Sequence, residues 1–171
     1  MATLHHNISG ELTQELLAPG NNVKLSKISL TNVQKVSKCK VDLYINRVAG
    51  EDYGKFYLLK GVELPIGATL IYDDIKFNNA VYGLYIKLTD GATFTLTGSI
   101  DPTASTTVTG VSTLFLSEVS IGDEILVSSE TRTVSAIASD TSLTVSVATT
   151  NTANDTTPDC NPTALVDVII N

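Results

Sequence analysis

The chain has 171 residues, 43% of them hydrophobic but only 17% charged, with a formal net charge of -7. That balance fits a folded chain whose surface is carried by neutral Thr, Ser, Asn and Gly, and excludes a disordered one. It also argues against general affinity for nucleic acid, which needs clustered Lys and Arg, and no apolar run reaches the roughly 18 to 20 residues of a membrane span.

In chain order, residues 1–22 carry one weak helical stretch (Leu12, Leu16, Leu17) stopped by Pro19-Gly20, which reads as an N-terminal arm of low stability. These residues lack the basic start and apolar centre of a secretion signal. From Val23 the hydrophobic period becomes two. Val23 and Leu25 open a strand that continues, after a one-residue slip, through Ile28 and Leu30. Val41–Ile45 alternates cleanly, Phe56–Leu59 is broken at Gly61, and Val62, Leu64 and Ile66 alternate again up to Gly67. Pro65 offers no N–H, so that strand ends there or lies at an edge. Ala68–Tyr72 follows, then Tyr82–Leu88, and Asp90-Gly91 turns the chain toward Phe94 and Leu96.

Composition changes near Gly98. Residues 98–157 are rich in Thr, Ser and Val, with strands expected at Thr106–Val111, Glu124–Ser128, Thr131–Ala138 and Ser142–Val147, separated by Gly122-Asp123, Ser129-Glu130 and Ser139-Asp140. Residues 149–162 read as a linker. The closing run Val166-Asp167-Val168-Ile169-Ile170-Asn171 matches Val41–Asn46 in residue type at each position. An apolar run left unpaired would aggregate, so it is expected to return beside the 41–46 strand. The fold class is therefore all-β: an antiparallel β-sandwich of residues 23–97 plus 163–171, with 98–157 inserted as a small β-barrel.

Charge follows the same division. Residues 1–92 hold ten of the eleven basic side chains against nine acids, while 93–171 hold Arg132 against nine acids; all six tyrosines precede residue 92.

Chemistry has little foothold in this pattern. His5-His6 sits in the arm, where no positioned base is expected. Asp73-Asp74 reads as a solvated turn, since adjacent strand residues diverge. Asn154-Asp155 with Asp159 lacks the spacing of a calcium loop. No phosphate-cradling glycine motif occurs, and Asn7 and Asn154 start chance sequons. Cys39 and Cys160 have no metal-ligand spacing and read as two buried thiols, with a single bridge as the alternative. No catalytic residue, cofactor or metal is expected, and no enzyme. The tyrosines Tyr44, Tyr53, Tyr57, Tyr72, Tyr82 and Tyr85 read as core or contact residues, with a sugar platform as the other reading.

The runs KISLTNV, VDLYI, FYLLKGVELPIGATLIYDDIKF and VYGLYIKL, closed by VDVII, resemble small β-sandwich proteins of tailed bacteriophages, notably those infecting cyanobacteria and marine bacteria. The run VTGVSTLFLSEVSIGDEILVSSETRTVSAIASDTSLTV is similar to a small β-barrel module of phage tail, fibre and other virion proteins. There Gly110, the Phe115 region, Gly122-Asp123 and Ser139-Asp140-Thr141 recur as turn and core positions, although the glycines expected near Ser112 and near Ser128-Ser129 are replaced. The resemblance implies a virion structural protein. Within that class the expectation is a capsid decoration (cement) protein on the outer face of the head, with the major capsid protein lattice and other copies of itself as partners. Tyr44, Tyr53, Tyr57 and Tyr85, with Leu12 and Leu16 of the arm, are the candidate interface. A tail, neck, baseplate or fibre component and a carbohydrate-binding adhesin are the alternatives.

Overall fold

The computed structural model describes residues 3–48, 51 and 53–171. Seven strands come first: β1 (Leu4–Ser9), β2 (Gln14–Leu17), β3 (Lys27–Asn32), β4 (Cys39–Asn46), β5 (Phe56–Leu64), β6 (Thr69–Asp73) and β7 (Gly83–Thr89). Then come β8 (Phe94–Thr95), β9 (Ser99–Pro102), β10 (Thr107–Val111), the one-turn helix α1 (Phe115–Glu118), β11 (Glu124–Val127), β12 (Glu130–Ser139), β13 (Ser142–Val145), β14 (Asp159–Asn161) and β15 (Leu165–Ile170). The protein is all-β and antiparallel. It forms two compact units, the first from residues 1–33, 38–90 and 164–171, the second from 34–37 and 91–163.

The first unit is a sandwich of two four-stranded sheets, ordered β1-β15-β3-β6 and β2-β7-β4-β5. Period-two alternation explains both. Ile28, Leu30, Val166, Val168 and Ile170 of one sheet and Val41, Leu43, Leu84, Ile86 and Leu88 of the other are buried in a common core, each such side chain worth about 1.5–3 kcal/mol of transfer free energy. Asn32 ends β3 inside this core and donates to the Leu64 carbonyl at 3.0 Å, which fixes the turn from β5 into β6. The Pro65 stop falls as expected, one residue past the end of β5.

Three expectations need correction in this unit. Residues 1–22 are not a helical arm, because β1 pairs along its whole length with β15 and β2 pairs with β7. Period-two alternation over Leu4, His6 and Ile8 outweighs the three leucines, of which Leu12 is 80% exposed. The closing strand β15 lies between β1 and β3, in the sheet opposite β4, rather than beside its look-alike. Its apolar residues reach the core equally well from either sheet, so type similarity to β4 did not specify a neighbour. Finally, Gly61 does not break a strand: it sits at φ +59° as a bulge inside one continuous β5.

The second unit is a seven-stranded sheet ordered β8-β14-β11-β12-β13-β10-β9. The ten-residue β12 pairs with β11 through its first half and with β13 through its second, and register shifts after Val134 and Ile137 bend it between them. Ile100, Val108, Phe115, Ile125, Val134, Leu143 and Cys160 fill the concave side. A lone bridge between Ile100 and Asp155 draws the ends of the sheet together. No continuous ladder joins β8 to β9 among the described residues, so full closure of the small barrel, expected closed or nearly closed, is not shown.

Within the 149–162 segment read as a linker, Asp159–Asn161 form β14, which pairs with both β11 and β8, while 149–158 stay outside the strands apart from the bridge at Asp155. The unit also begins earlier than Gly98, with β8. Its hub is Asp123, fully buried. Asp123 accepts hydrogen bonds from the Ser120 N–H at 2.7 Å, the Gln34 amide at 2.8 Å and the Thr163 N–H at 3.0 Å. Ser120 in turn donates to the Gln34 carbonyl oxygen at 2.8 Å, which explains why residues 34–37 fold with this unit. Burial pushes the Asp123 carboxyl above its ordinary value despite these donors.

Candidate interaction surface

The solvent side of the β2-β7-β4-β5 sheet carries an aromatic layer. Cross-strand register places Tyr44 opposite both Tyr57 and Tyr85. The Tyr44 and Tyr57 rings lie 5.5 Å apart, and Tyr44 stacks on Tyr85 at 5.8 Å. Two ammonium groups cap the layer, Lys55 4.9 Å from the Tyr44 ring and Lys60 4.3 Å from the Tyr57 ring. The hydroxyls are also engaged: Tyr44 donates to Thr13 at 3.3 Å and Tyr85 to Glu15 at 3.2 Å. Burial, and then the charge of Glu15, raises the Tyr85 phenol above its ordinary range. The ion pair with Asp42 at 2.7 Å raises the Lys60 ammonium.

This layer corrects part of the expected interface. Tyr44 and Tyr85 are only 2% exposed although they point away from the core, because they stack on each other, Lys55 caps Tyr44 and Glu15 holds the Tyr85 hydroxyl. Leu16 is 3% exposed and belongs to the core. Tyr57 and Leu12 are exposed, as is Tyr53 at 76%.

Tyr53 belongs to a second cluster at the end of the same sheet. Arg47 stacks 5.2 Å from the Tyr82 ring centre and donates to its hydroxyl at 3.3 Å, while Phe56 meets the Tyr82 edge at 5.8 Å. Phe56 is 57% exposed and Val48 also faces solvent. With Glu51 these residues line an open cleft of about 390 Å³. Asn46 organises the loop above it. Buried at the end of β4, its amide donates to the Glu51 carbonyl at 3.0 Å and its oxygen accepts the Arg47 N–H at 2.7 Å. A hydrogen bond to Glu51 raises the Tyr53 phenol.

Arg47, Asn46 and Phe56 were not singled out from the sequence. Phe56 starts β5 and Tyr82 immediately precedes β7, two segments far apart in the chain, and only the fold brings them together. Arg47 has no carboxylate partner among the described residues. Tyr, Arg and Phe exposed together are the composition that carries most binding energy at protein interfaces.

The remaining sequence candidates are separated or committed locally. His5 and His6 lie on opposite faces of β1, and the buried Nε2 of His6 has no hydrogen-bond partner among the described residues. Asp73 and Asp74 are exposed, Asp74 paired with Lys76 at 2.7 Å. Asp155 accepts the Ser128 and Thr157 N–H groups, and Asp159 accepts the Thr95 hydroxyl. Cys39 and Cys160 are buried free thiols in different units. Burial, with Asp90 beside Cys39 and Asp123 beside Cys160, pushes them up to about 11 and about 12. No group of His, Cys, Asp or Glu among the described residues is arranged to hold a metal. No helix among them is long and apolar enough to cross a membrane.

No family model matches the chain, and no curated protein or solved structure matches it.

Proposed function

We propose that the chain is a structural protein of a tailed-bacteriophage virion, a capsid decoration protein bound as a homo-oligomer to the outer face of the head. The observation that carries this reading is the exposed Tyr53–Phe56 cluster with Arg47 and Tyr82 at one end of the sandwich. It is a ready-made contact surface that needs no cofactor. The two units differ in a way that suits such a role. The second holds Lys35 and Arg132 against eight acids, so its surface repels like particles, while the first holds nine basic side chains beside its aromatic ones. Weak contacts repeated over a shell add through multivalency, and the work is structural rather than enzymatic.

The test is binding of the purified protein to undecorated heads. Wild type should saturate the lattice at hundreds of copies per particle. Tyr53→Ala with Phe56→Ala should lose occupancy at unchanged thermal stability, because both side chains are exposed. Binding in only a few copies would place the protein in the tail or neck instead. The aromatic cleft itself favours a second reading, carbohydrate binding, which requires glycan affinity lost in Tyr53→Ala.

A further inference from the structure

We propose that β6 is an open docking edge for a second copy of this chain, pairing antiparallel with its own symmetry mate about Ile71. This inference goes beyond the virion reading and does not depend on it. Each sheet of the sandwich has two end strands, and natural sheets protect such edges. On the β2-β7-β4-β5 sheet, β2 has four residues and an irregular register, while β5 is bulged at Gly61. The Gly61 N–H is occupied by the Asp42 carboxylate at 2.6 Å, with Lys60 alongside. On the other sheet β1 is polar at its centre, with His5, His6 and Asn7. β6 carries none of these protections. Its sequence Thr-Leu-Ile-Tyr-Asp holds unbroken register against β3 over five pairs, without Pro, Gly or Lys, and Ile71 is 57% exposed.

Hydrogen-bond phase shows which groups are open. The Asn32 N–H donates to the Ala68 carbonyl and the Asp74 N–H to the Ser26 carbonyl. The even-numbered residues of this strand therefore exchange bonds with β3, and the N–H and C=O groups of Thr69, Ile71 and Asp73 point away from it. None of the three has a backbone partner among the described residues on that side.

A two-fold axis at Ile71 satisfies them all. Ile71 then faces Ile71 of the second copy, and Thr69 faces Asp73 in each direction, with every facing pair of the hydrogen-bonded type. Side chains agree with the backbone. The two exposed isoleucines bury each other, and Thr69, whose oxygen already shares a proton with Thr31 at 2.9 Å, sits within reach of a carboxylate. No like charges oppose, because the two Asp73 side chains are offset by four residues, about 13 Å along the strands and outside the screening length. The product is one eight-stranded sheet across two copies.

Sedimentation velocity of the full chain over a concentration series up to about 1 mM tests this. Wild type should show a species of twice the 18.1 kDa chain mass. Ile71→Pro removes one outward N–H without touching the β3 ladder. Thr69→Asp sets a second carboxylate opposite Asp73 of the other copy. Each should raise the concentration for dimerisation at least about tenfold, with unchanged circular dichroism. Combining Thr69→Asp with Asp73→Lys restores an opposite-charge pair and should restore the dimer. If Ile71→Pro does not fold, Thr69→Asp and its double variant still decide. A monomer throughout the series, or a dimer indifferent to these changes, overturns the proposal.

Discussion

A Cβ placed on Gly83 would lie 2.6 Å from the hydroxyl oxygen of Tyr85 and 2.9 Å from its ring carbons. The tyrosine thus folds back along β7 over the glycine two positions earlier, and the missing side chain at 83 is what lets the Tyr44–Tyr85 stack close. Gly83→Ala should push the buried ring off Glu15 and Tyr44, at a cost of about 1–3 kcal/mol. Thermal unfolding followed by near-ultraviolet circular dichroism checks it. An unchanged midpoint would mean that the ring swings aside freely.

Asn46 holds the loop that carries Tyr53. Asn46→Ala removes the donor to Glu51 and the acceptor for Arg47, two part-buried hydrogen bonds, at a cost of about 1 kcal/mol. Amide exchange at Arg47 should accelerate while the centre of β4 stays protected. Equal acceleration along the whole strand would show a global rather than a local effect.

Removing the Asp123 carboxylate should be the most damaging single change in the second unit. Asp123→Ala strands the donors of Ser120, Gln34 and Thr163 in the interior, a loss of at least about 3 kcal/mol. Asp123→Asn keeps the volume and an oxygen that can still accept from Gln34 and Thr163, but turns an amide N–H₂ toward the Ser120 N–H, so it should recover only part of the loss. Urea unfolding of both variants measures this, and a near-native Asn variant would contradict the donor geometry.

Glu130 links β12 to the segment after β13. It accepts from the Thr150 hydroxyl and N–H, the Asn151 N–H and Arg132, and these donors, the Thr150 hydroxyl foremost, lower its carboxyl from the ordinary 4.5. A depressed carboxyl contributes stability that is fully present above the unfolded value and is lost as pH falls through the folded one. Amide exchange at Thr150 and Asn151, corrected for intrinsic rates, should therefore increase below pH 4.5 in wild type. In Glu130→Gln the same amides should show no such step.

Strand content was legible because period-two alternation is a local signal. β4, β7, β11 and β15 lie within a residue or two of their expected bounds. β1 was misread because three leucines at helical spacing competed with a short, polar alternation, and β14 because Thr, Asn and Pro around Asp159–Asn161 read as a linker. Of the candidate contact residues, the tyrosines were visible by type. Whether each is buried was not, because Tyr44 and Tyr53 differ only in what neighbouring strands and side chains lay over them.

By itself the sequence determined an all-β chain with an aromatic, basic-rich part and a Thr-rich, acidic one, since composition and alternation are written residue by residue. The placement of β15 between β1 and β3, the closure of Gln34 on Asp123 and the cleft shared by Arg47, Phe56 and Tyr82 emerge with the folded chain alone. The reason is that pairing partners of a strand, and contacts between positions far apart in the chain, are chosen by competition among all apolar faces at once. An isolated segment carries no record of which face wins.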